Sequence, residues 1–410
     1  MKILQLGNID TYGNRFNGTD LHKELLNRGV DSQHCVWEKN TDNEQTWLLA
    51  EFPYRTRLKN VISRLEYQLS VQSILYPFSW SLLLDKRYRY VDLVHYHLIH
   101  VGFFNLLSLP FLTRIKPSVW TLHDPWAMTG HCVHPFACEK WITGCGNCPD
   151  MNTLFKMERD HTALMWRIKK LVYSLSQIDI VVGSQWMMNM AKQSPLLSNF
   201  KLHHIPFGLD LTIFRPKDSE LAKRKLGVLP GNLVITFRAV RDDFKGFAFI
   251  EECLNKLKPN YPICLLTFNF QGLLEKFQGK YQVIDLGWIQ DEELLVDAYN
   301  ASDIFLMPSM AEAFGMMAME AMACGKPVIA FEGTSLEEVI FAPHGGIVVR
   351  KGDSDALLSV IERLIASPEE RTNLGGTALE LVKEHYNVKT QINRLLDLYN
   401  NVIERRNFLM

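Results

Sequence analysis

The feature that most constrains this chain is an alternation. Short apolar or β-branched runs, "KILQLG", "VDLVHYH", "SVWTLHD" and "DIVVGS", are spaced by helical segments such as "NGTDLHKELLNRGV", whose Gly29 suits a C′ position. Strands alternating with helices lead to a parallel α/β sheet covered on both faces. The pattern breaks at "HHIPFGLDLTIFRP", where two Pro, a Gly and an Asp read as a linker. It then resumes as "LVITFRAV", "ICLLTFNF", "QVIDLGWI", "DIFLMPS", "KPVIAFE" and "GGIVV". At 410 residues the chain exceeds what one core usually holds. The expectation is two doubly wound α/β domains, 1–205 and 206–390, with a cleft between them and a terminal helix, 391–410, packing back on the first. In such sheets ligands bind beyond the carboxyl ends of the strands, so "HYH", "HD" and "GS" mark candidate site edges.

Charge and composition narrow the partners. Net charge is −1 and charged residues make up 22%, which gives no reason to expect a nucleic-acid partner. Residues 1–205 nevertheless hold 22 Lys+Arg against 17 Asp+Glu. That basic front half either faces phosphate or an anionic surface, or is scatter. "MKILQLGN" reads as a first strand rather than a leader, and "SILYPFSWSLLL" and "VGFFNLLSLPFL" are too short and too interrupted to span a membrane. A cytoplasmic protein is expected, in which eight Cys do not imply a disulfide scaffold.

The segment "AEAFGMMAMEAMACGKPVIAF" carries the most chemical information. "DIFLMPS" is a strand, "GMMAMEAMAC" a helix stopped by Gly325, and "KPVIAF" the next strand. The helix N-terminus then lies at a strand's carboxyl end, where free N–H groups and the macrodipole favour an anion. Glu312 and Glu320 bring two carboxylates to that region, suited to accept from sugar and ribose hydroxyls. The Met and Ala positions are ordinary helix-to-sheet packing.

This stretch resembles the E-x7-E signature of retaining glycosyltransferases of the GT-B fold, family 4 (glycosyltransferase group 1), with Ala313 where the family usually has Gly. The resemblance, to bacterial surface-polysaccharide enzymes of colanic-acid, capsule or O-antigen type, implies two Rossmann-like domains. It implies that Glu312 holds donor-sugar hydroxyls, that Glu320 holds the donor ribose, and that amides near Phe314, Gly315 and Met316 touch sugar or diphosphate. "FRAVRDDFKG" resembles the family's cationic clamp, which makes Arg238 and Lys245 the diphosphate ligands, with Arg241 a competing cation. Two cations would neutralise a departing nucleoside diphosphate without a metal. Trp288 and Ile289 would border the base. Gly18, in the family's glycine-loop position after Asn17, would approach the donor phosphates. His123 in "TLHDPW" matches the active-site His; its alternative is a structural His held by Asp124. His95 and His97 share a strand face, with His100 beyond, and are expected to line the acceptor side rather than bind metal. No cofactor for catalysis is implied.

"HCVHPFACEKWITGCGNCPD", within a Cys-rich insertion at 131–150, sets Cys132, Cys138, Cys145 and Cys148 at C-x5-C-x6-C-x2-C. A structural zinc held by four thiolates is the expectation; reduced thiols or a disulfide are the alternatives. Residues 51–90 interleave seven Lys+Arg and three Asp+Glu with aromatic and aliphatic residues. That composition fits peripheral contact with the inner membrane, or an amphipathic helix on the core.

The resemblance implies transfer, with retention, of a hexose-type sugar from a nucleotide diphosphate sugar to a lipid-linked saccharide acceptor at the inner face of the plasma membrane. A GT-B nucleotide-sugar epimerase would share the clamp but turn over donor without acceptor. A non-catalytic nucleotide-sugar-binding protein would never release nucleoside diphosphate.

Overall fold

The computed structural model describes residues 1–11, 18–152, 155–242, 244–258, 260–269 and 271–409. The chain divides into two compact units, Met1–Ile205 together with Ile392–Met410, and Pro206–Gln391.

In the first unit the strands are β1 (Lys2–Ile9), β2 (Asp31–Glu38), β3 (Thr46–Leu48), β4 (Leu93–Tyr96), β5 (Ser118–Leu122), β6 (Asp179–Val182) and β7 (Leu202–His204). They lie in the order β3-β2-β1-β4-β5-β6-β7, every pair parallel. The second unit holds β8 (Leu233–Ala239), β9 (Ile263–Asn269), β10 (Gln282–Asp285), β11 (Ile304–Met307), β12 (Val328–Phe331) and β13 (Gly346–Val349). Their order is β10-β9-β8-β11-β12-β13, again all parallel. Both sheets therefore reverse direction once, between β1 and β4 and between β8 and β11. At such a switch point neighbouring loops diverge and open a crevice for ligands.

Central strands such as β4, β5, β11 and β12 are buried along their whole length, which is why they read as unbroken apolar runs. Three strands escaped the sequence reading. β2 opens with the polar run "DSQH", and β3 and β7 are only three residues long. The segment read as a linker from "HHI" onward begins inside β7, because His203 and His204 pair with Val181 and Val182.

The last helix, Val388–Leu409, contributes to the first unit from Ile392 onward. Ile392, Leu395, Tyr399 and Val402 recur at three- and four-residue spacing and are buried as one stripe. Arg405 adds a 2.7 Å ion pair to Asp179, which also takes a 2.7 Å bond from His203. Among the described residues no helix is long and apolar enough to cross a membrane.

Candidate active site

In the second unit, the sequence-derived residues gather at the β8/β11 switch point. Arg238 is the penultimate residue of β8, Lys245 follows that strand, and Glu312 follows β11. Lys245 Nζ lies 2.8 Å from Glu312 Oε2. Arg238 Nη2 donates to Asn269 Oδ1 at 2.9 Å, and Arg238 Nε is buried without a hydrogen-bond partner. Asn269, at the end of β9, has φ 114, a strained conformation for a residue with a side chain. Its amide is nevertheless anchored to Gly287 O at 2.9 Å. The competing cation Arg241 is exposed.

The two loops are stitched together by backbone. Met310 N–H donates to Phe244 O at 2.8 Å, and Asp242 Oδ1 accepts from the amides of Phe244 (3.0 Å) and Lys245 (2.7 Å). Gly246 has φ 71, and a Cβ there would overlap Pro308 O, so glycine is what lets the β8 loop close on the β11 loop. Gly315, with φ 101, precedes the helix Met316–Ala323; a Cβ there would collide with Leu336. Ser335 Oγ reaches both Glu312 O (3.0 Å) and Phe314 O (3.1 Å), which fixes the turn leading into that helix.

These contacts explain the two carboxylates in an apolar segment. Glu312 stands before the helix and is paired with Lys245. Glu320, inside the helix and buried, accepts from Tyr299 Oη at 2.6 Å. Phe314 is buried against Phe207 with ring centroids 4.8 Å apart, while Met316 is partly exposed. Trp288 and Ile289 follow the edge strand β10, and Trp288 is 65% exposed. The sequence reading missed Asn269, Tyr299 and Ser335. Only Asn269 carried a signal, a polar residue closing an apolar strand.

In the first unit, Gly18 and His97 flank the β1/β4 switch point. Gly18 has φ 82 and caps the helix Thr19–Asn27; a Cβ there would stand 2.8 Å from the His97 ring. Asn17 lies outside the described residues. His123 follows β5, and its Nε2 is 3.2 Å from His97 Nδ1. His97 Nε2 is 2.8 Å from Gln5 Oε1. His95 and His97 are interior groups rather than a lining strand edge. His95 is fully buried between Tyr399 Oη (2.6 Å) and Thr121 Oγ1 (2.7 Å). The Asp124 carboxylate pairs with His100 Nε2 at 3.1 Å, caps Trp126 N–H at 2.9 Å, and bears electrostatically on His123. Burial, with neighbouring imidazoles adding to it, lowers the pKa of His95 to about 3 and that of His97 well below its usual value. Burial also lowers His123 to about 3, against the opposing charge of Asp124.

The four clustered cysteines, Cys132, Cys138, Cys145 and Cys148, line one small cavity of about 20 Å³. Gly130 N–H donates to Cys145 Sγ (3.2 Å), and Cys148 Sγ donates to Asp150 O (3.0 Å). Burial raises the Cys132 thiol to about 12 and Cys145 to about 11. Among the described residues no three His, Cys, Asp or Glu side chains form a group that could hold a metal ion.

The helix Arg55–Leu69 buries Ile62 together with a carboxylate. It buries Glu66, whose carboxylate accepts from the amides of Ser73 (3.0 Å), Ile74 (2.8 Å) and Leu75 (2.9 Å). It exposes Leu58, Val61, Leu65 and Leu69, with Arg57 and Arg64 beside them.

Comparison with known proteins accords with this geometry. Residues 266–380, which contain Trp288, Glu312, Gly315 and Glu320, match the family described as glycosyl transferases group 1. WcaC of Escherichia coli (strain K12), named as a colanic acid biosynthesis glycosyl transferase, is 23% identical over 408 residues, covering 93% of this chain and 94% of its own. Residues 266–380 are thus a glycosyl transferase group 1 domain, and the protein is a glycosyltransferase. Among solved structures this glycosyltransferase shares its fold with sucrose-phosphate synthase from Thermosynechococcus elongatus. That match has a TM-score of 0.70 at 19% identity, over 99% of this chain and 100% of the other. It also shares its fold with Anabaena HepE in complex with UDP-glucose (TM-score 0.64, 15% identity, 98% and 100% covered). Both units are thus of the GT-B type.

Proposed function

We propose that this glycosyltransferase moves a hexose-type sugar from a nucleoside diphosphate sugar onto a growing, lipid-linked bacterial surface polysaccharide, with retention, at the inner face of the plasma membrane. The observation that carries the reading is the set Arg238, Lys245 and Glu312 at the β8/β11 switch point, beside the N-terminus of Met316–Ala323. Two cations and a helix N-terminus suit a diphosphate, and a carboxylate beside them suits sugar hydroxyls. In this reading Arg238 and Lys245 take up the charge that develops on the departing diphosphate, where electrostatic stabilisation contributes most. Glu312 orients the donor sugar and Glu320 the ribose. Phe314, Gly315 and Met316 offer backbone contacts, and Trp288 and Ile289 border the base. In the first unit the residues we assign to the donor are Gly18 and His123. The departing phosphate oxygen takes the acceptor's proton on the face it leaves.

Chemistry and kinship support this choice of acceptor and location. WcaC is named for colanic acid biosynthesis, and HepE holds UDP-glucose. The exposed leucines of Arg55–Leu69, with Arg57 and Arg64 beside them, suit an anionic lipid surface that presents a lipid-linked acceptor.

The test is thermal melting with UDP, GDP, ADP and CMP and their common sugars, followed by product analysis with the donor selected. One nucleotide should raise the melting temperature, at about 100 Kd by the equivalent of roughly 2.7 kcal/mol. Its sugar should be released only with acceptor. Turnover without acceptor would point to an epimerase, and no shift with any nucleotide would remove the donor site.

A further inference from the structure

Arg238 and Lys245 are both cations at the β8/β11 switch point, yet groups of different charge hold them. Lys245 Nζ meets the carboxylate of Glu312 at 2.8 Å. Arg238 Nη2 instead donates to the neutral carboxamide oxygen of Asn269 at 2.9 Å. A guanidinium only donates, so this contact fixes which end of the Asn269 amide faces it. Among the described residues that oxygen is the one hydrogen-bond acceptor Arg238 finds, and its Nε is shielded without a partner. The arginine as a whole stays partly exposed, which leaves part of its fork at the surface.

The backbone departs from regular geometry where this contact is made. β8 and β9 pair in parallel, with Arg238 opposite Phe268 and Ala239 opposite Asn269. Side chains alternate along a strand, so regular β structure would send Asn269 to the face opposite Arg238. At Asn269 φ is 114, outside the β region, where glycine is the residue that fits without strain. The conformation is held because Asn269 N–H donates to Gly287 O at 2.9 Å. A side chain kept at a glycine's conformation needs a compensating gain, and the bond to Arg238 supplies one.

We infer that Asn269 is a positioning residue that fixes the Arg238 guanidinium in advance of the donor while leaving its full charge for the diphosphate. The inference rests on the proposed function only for what Arg238 then binds. A neutral oxygen orients the guanidinium without cancelling its charge. A carboxylate at 269 would hold it as firmly but would offset that charge before any phosphate arrived. The two cations therefore divide the work. Lys245 has to leave Glu312 to meet a phosphate, whereas Arg238 has no carboxylate to leave among the described residues.

The decisive measurement is the 15N–1H NMR spectrum of the arginine Nε–H groups in the full chain at neutral pH, assigned with Arg238→Lys. In wild type the Arg238 signal should be resolved and protected from solvent exchange. Asn269→Gly suits the backbone conformation and removes the oxygen. It should lose that signal and keep a melting temperature at or above the wild-type value. It should also weaken binding of the nucleoside diphosphate selected by melting about tenfold. Asn269→Asp should keep the signal yet weaken diphosphate binding by at least as much, because its charge offsets that of Arg238. Absence of a protected Arg238 signal in wild type, or its persistence in Asn269→Gly, overturns the inference. So does wild-type diphosphate affinity in Asn269→Asp. The spectra need no ligand. Failure of every nucleoside diphosphate to bind wild type thus counts against the proposed function, while the Arg238 signal still decides whether Asn269 holds the guanidinium.

Discussion

Lys245 and Glu312 stand 67 residues apart in sequence, yet their charged groups lie 2.8 Å apart. Both side chains are partly exposed, 25% and 16%, so the pair is worth little, on the order of 1 kcal/mol or less. A diphosphate carries more charge than one carboxylate and can draw the ammonium away at small cost, which frees Glu312 for sugar hydroxyls. Two variants separate these roles. Lys245→Ala should weaken nucleoside diphosphate binding by about 10- to 100-fold, the loss of one charge-assisted bond of roughly 1.5–3 kcal/mol. Glu312→Gln releases the lysine and should leave that binding as tight or tighter, while sugar transfer falls. Calorimetry on both settles it; weaker nucleotide binding in Glu312→Gln would refute the exchange.

Tyr299 is the buried partner of Glu320 and the residue least visible in sequence. Removing its hydroxyl leaves a carboxylate oxygen short of a donor inside the helix layer. Tyr299→Phe should cost about 1–3 kcal/mol of stability and loosen nucleotide binding several-fold. Glu320→Ala should weaken nucleotide binding further. Equal nucleotide affinity in Glu320→Ala and wild type would remove Glu320 from the donor site.

Acid should destabilise the first unit through its histidines. His95 and His123 titrate near 3 when folded and near 6.5 when unfolded, so the unfolded chain binds protons first as pH falls. Their contribution is fully present above 6.5 and is lost on descending toward 3, at up to about 1.4 kcal/mol per group per pH unit. Urea unfolding at pH 7.5 and 5.5 measures the slope. His95→Gln should flatten it; an unchanged slope would place the acid sensitivity elsewhere.

The exposed ridge of Arg55–Leu69 predicts lipid binding that can be removed without unfolding. Leu58→Asn combined with Leu65→Asn should reduce sedimentation with vesicles containing phosphatidylglycerol at least about tenfold. The melting temperature should stay within a degree or two, because neither leucine packs in the core. Undiminished binding by the double variant would remove this helix from any membrane contact.

The sequence by itself determined the two α/β series, most of the strands, the helix between Gly315 and Gly325, and the residue types gathered at the β8/β11 switch point. Those are local properties: strand and helix periods, glycines at left-handed positions, and charges at strand ends. Even the helix Arg55–Leu69 showed its mixture of cations and leucines, though not which face was buried. That depended on Glu66 finding three amides seven to nine residues further on. The tertiary structure alone decided the pairings. Lys245 meets Glu312 because Gly246 lets one loop close on another. Glu320 meets Tyr299 across packed helices, Asp124 pairs with His100, and His97 bridges His123 and Gln5. It also gathered four cysteines around one cavity. Such contacts join residues far apart in the chain, and which partner a polar group finds depends on strand order and on what else is buried beside it. One-dimensional spacing does not encode that.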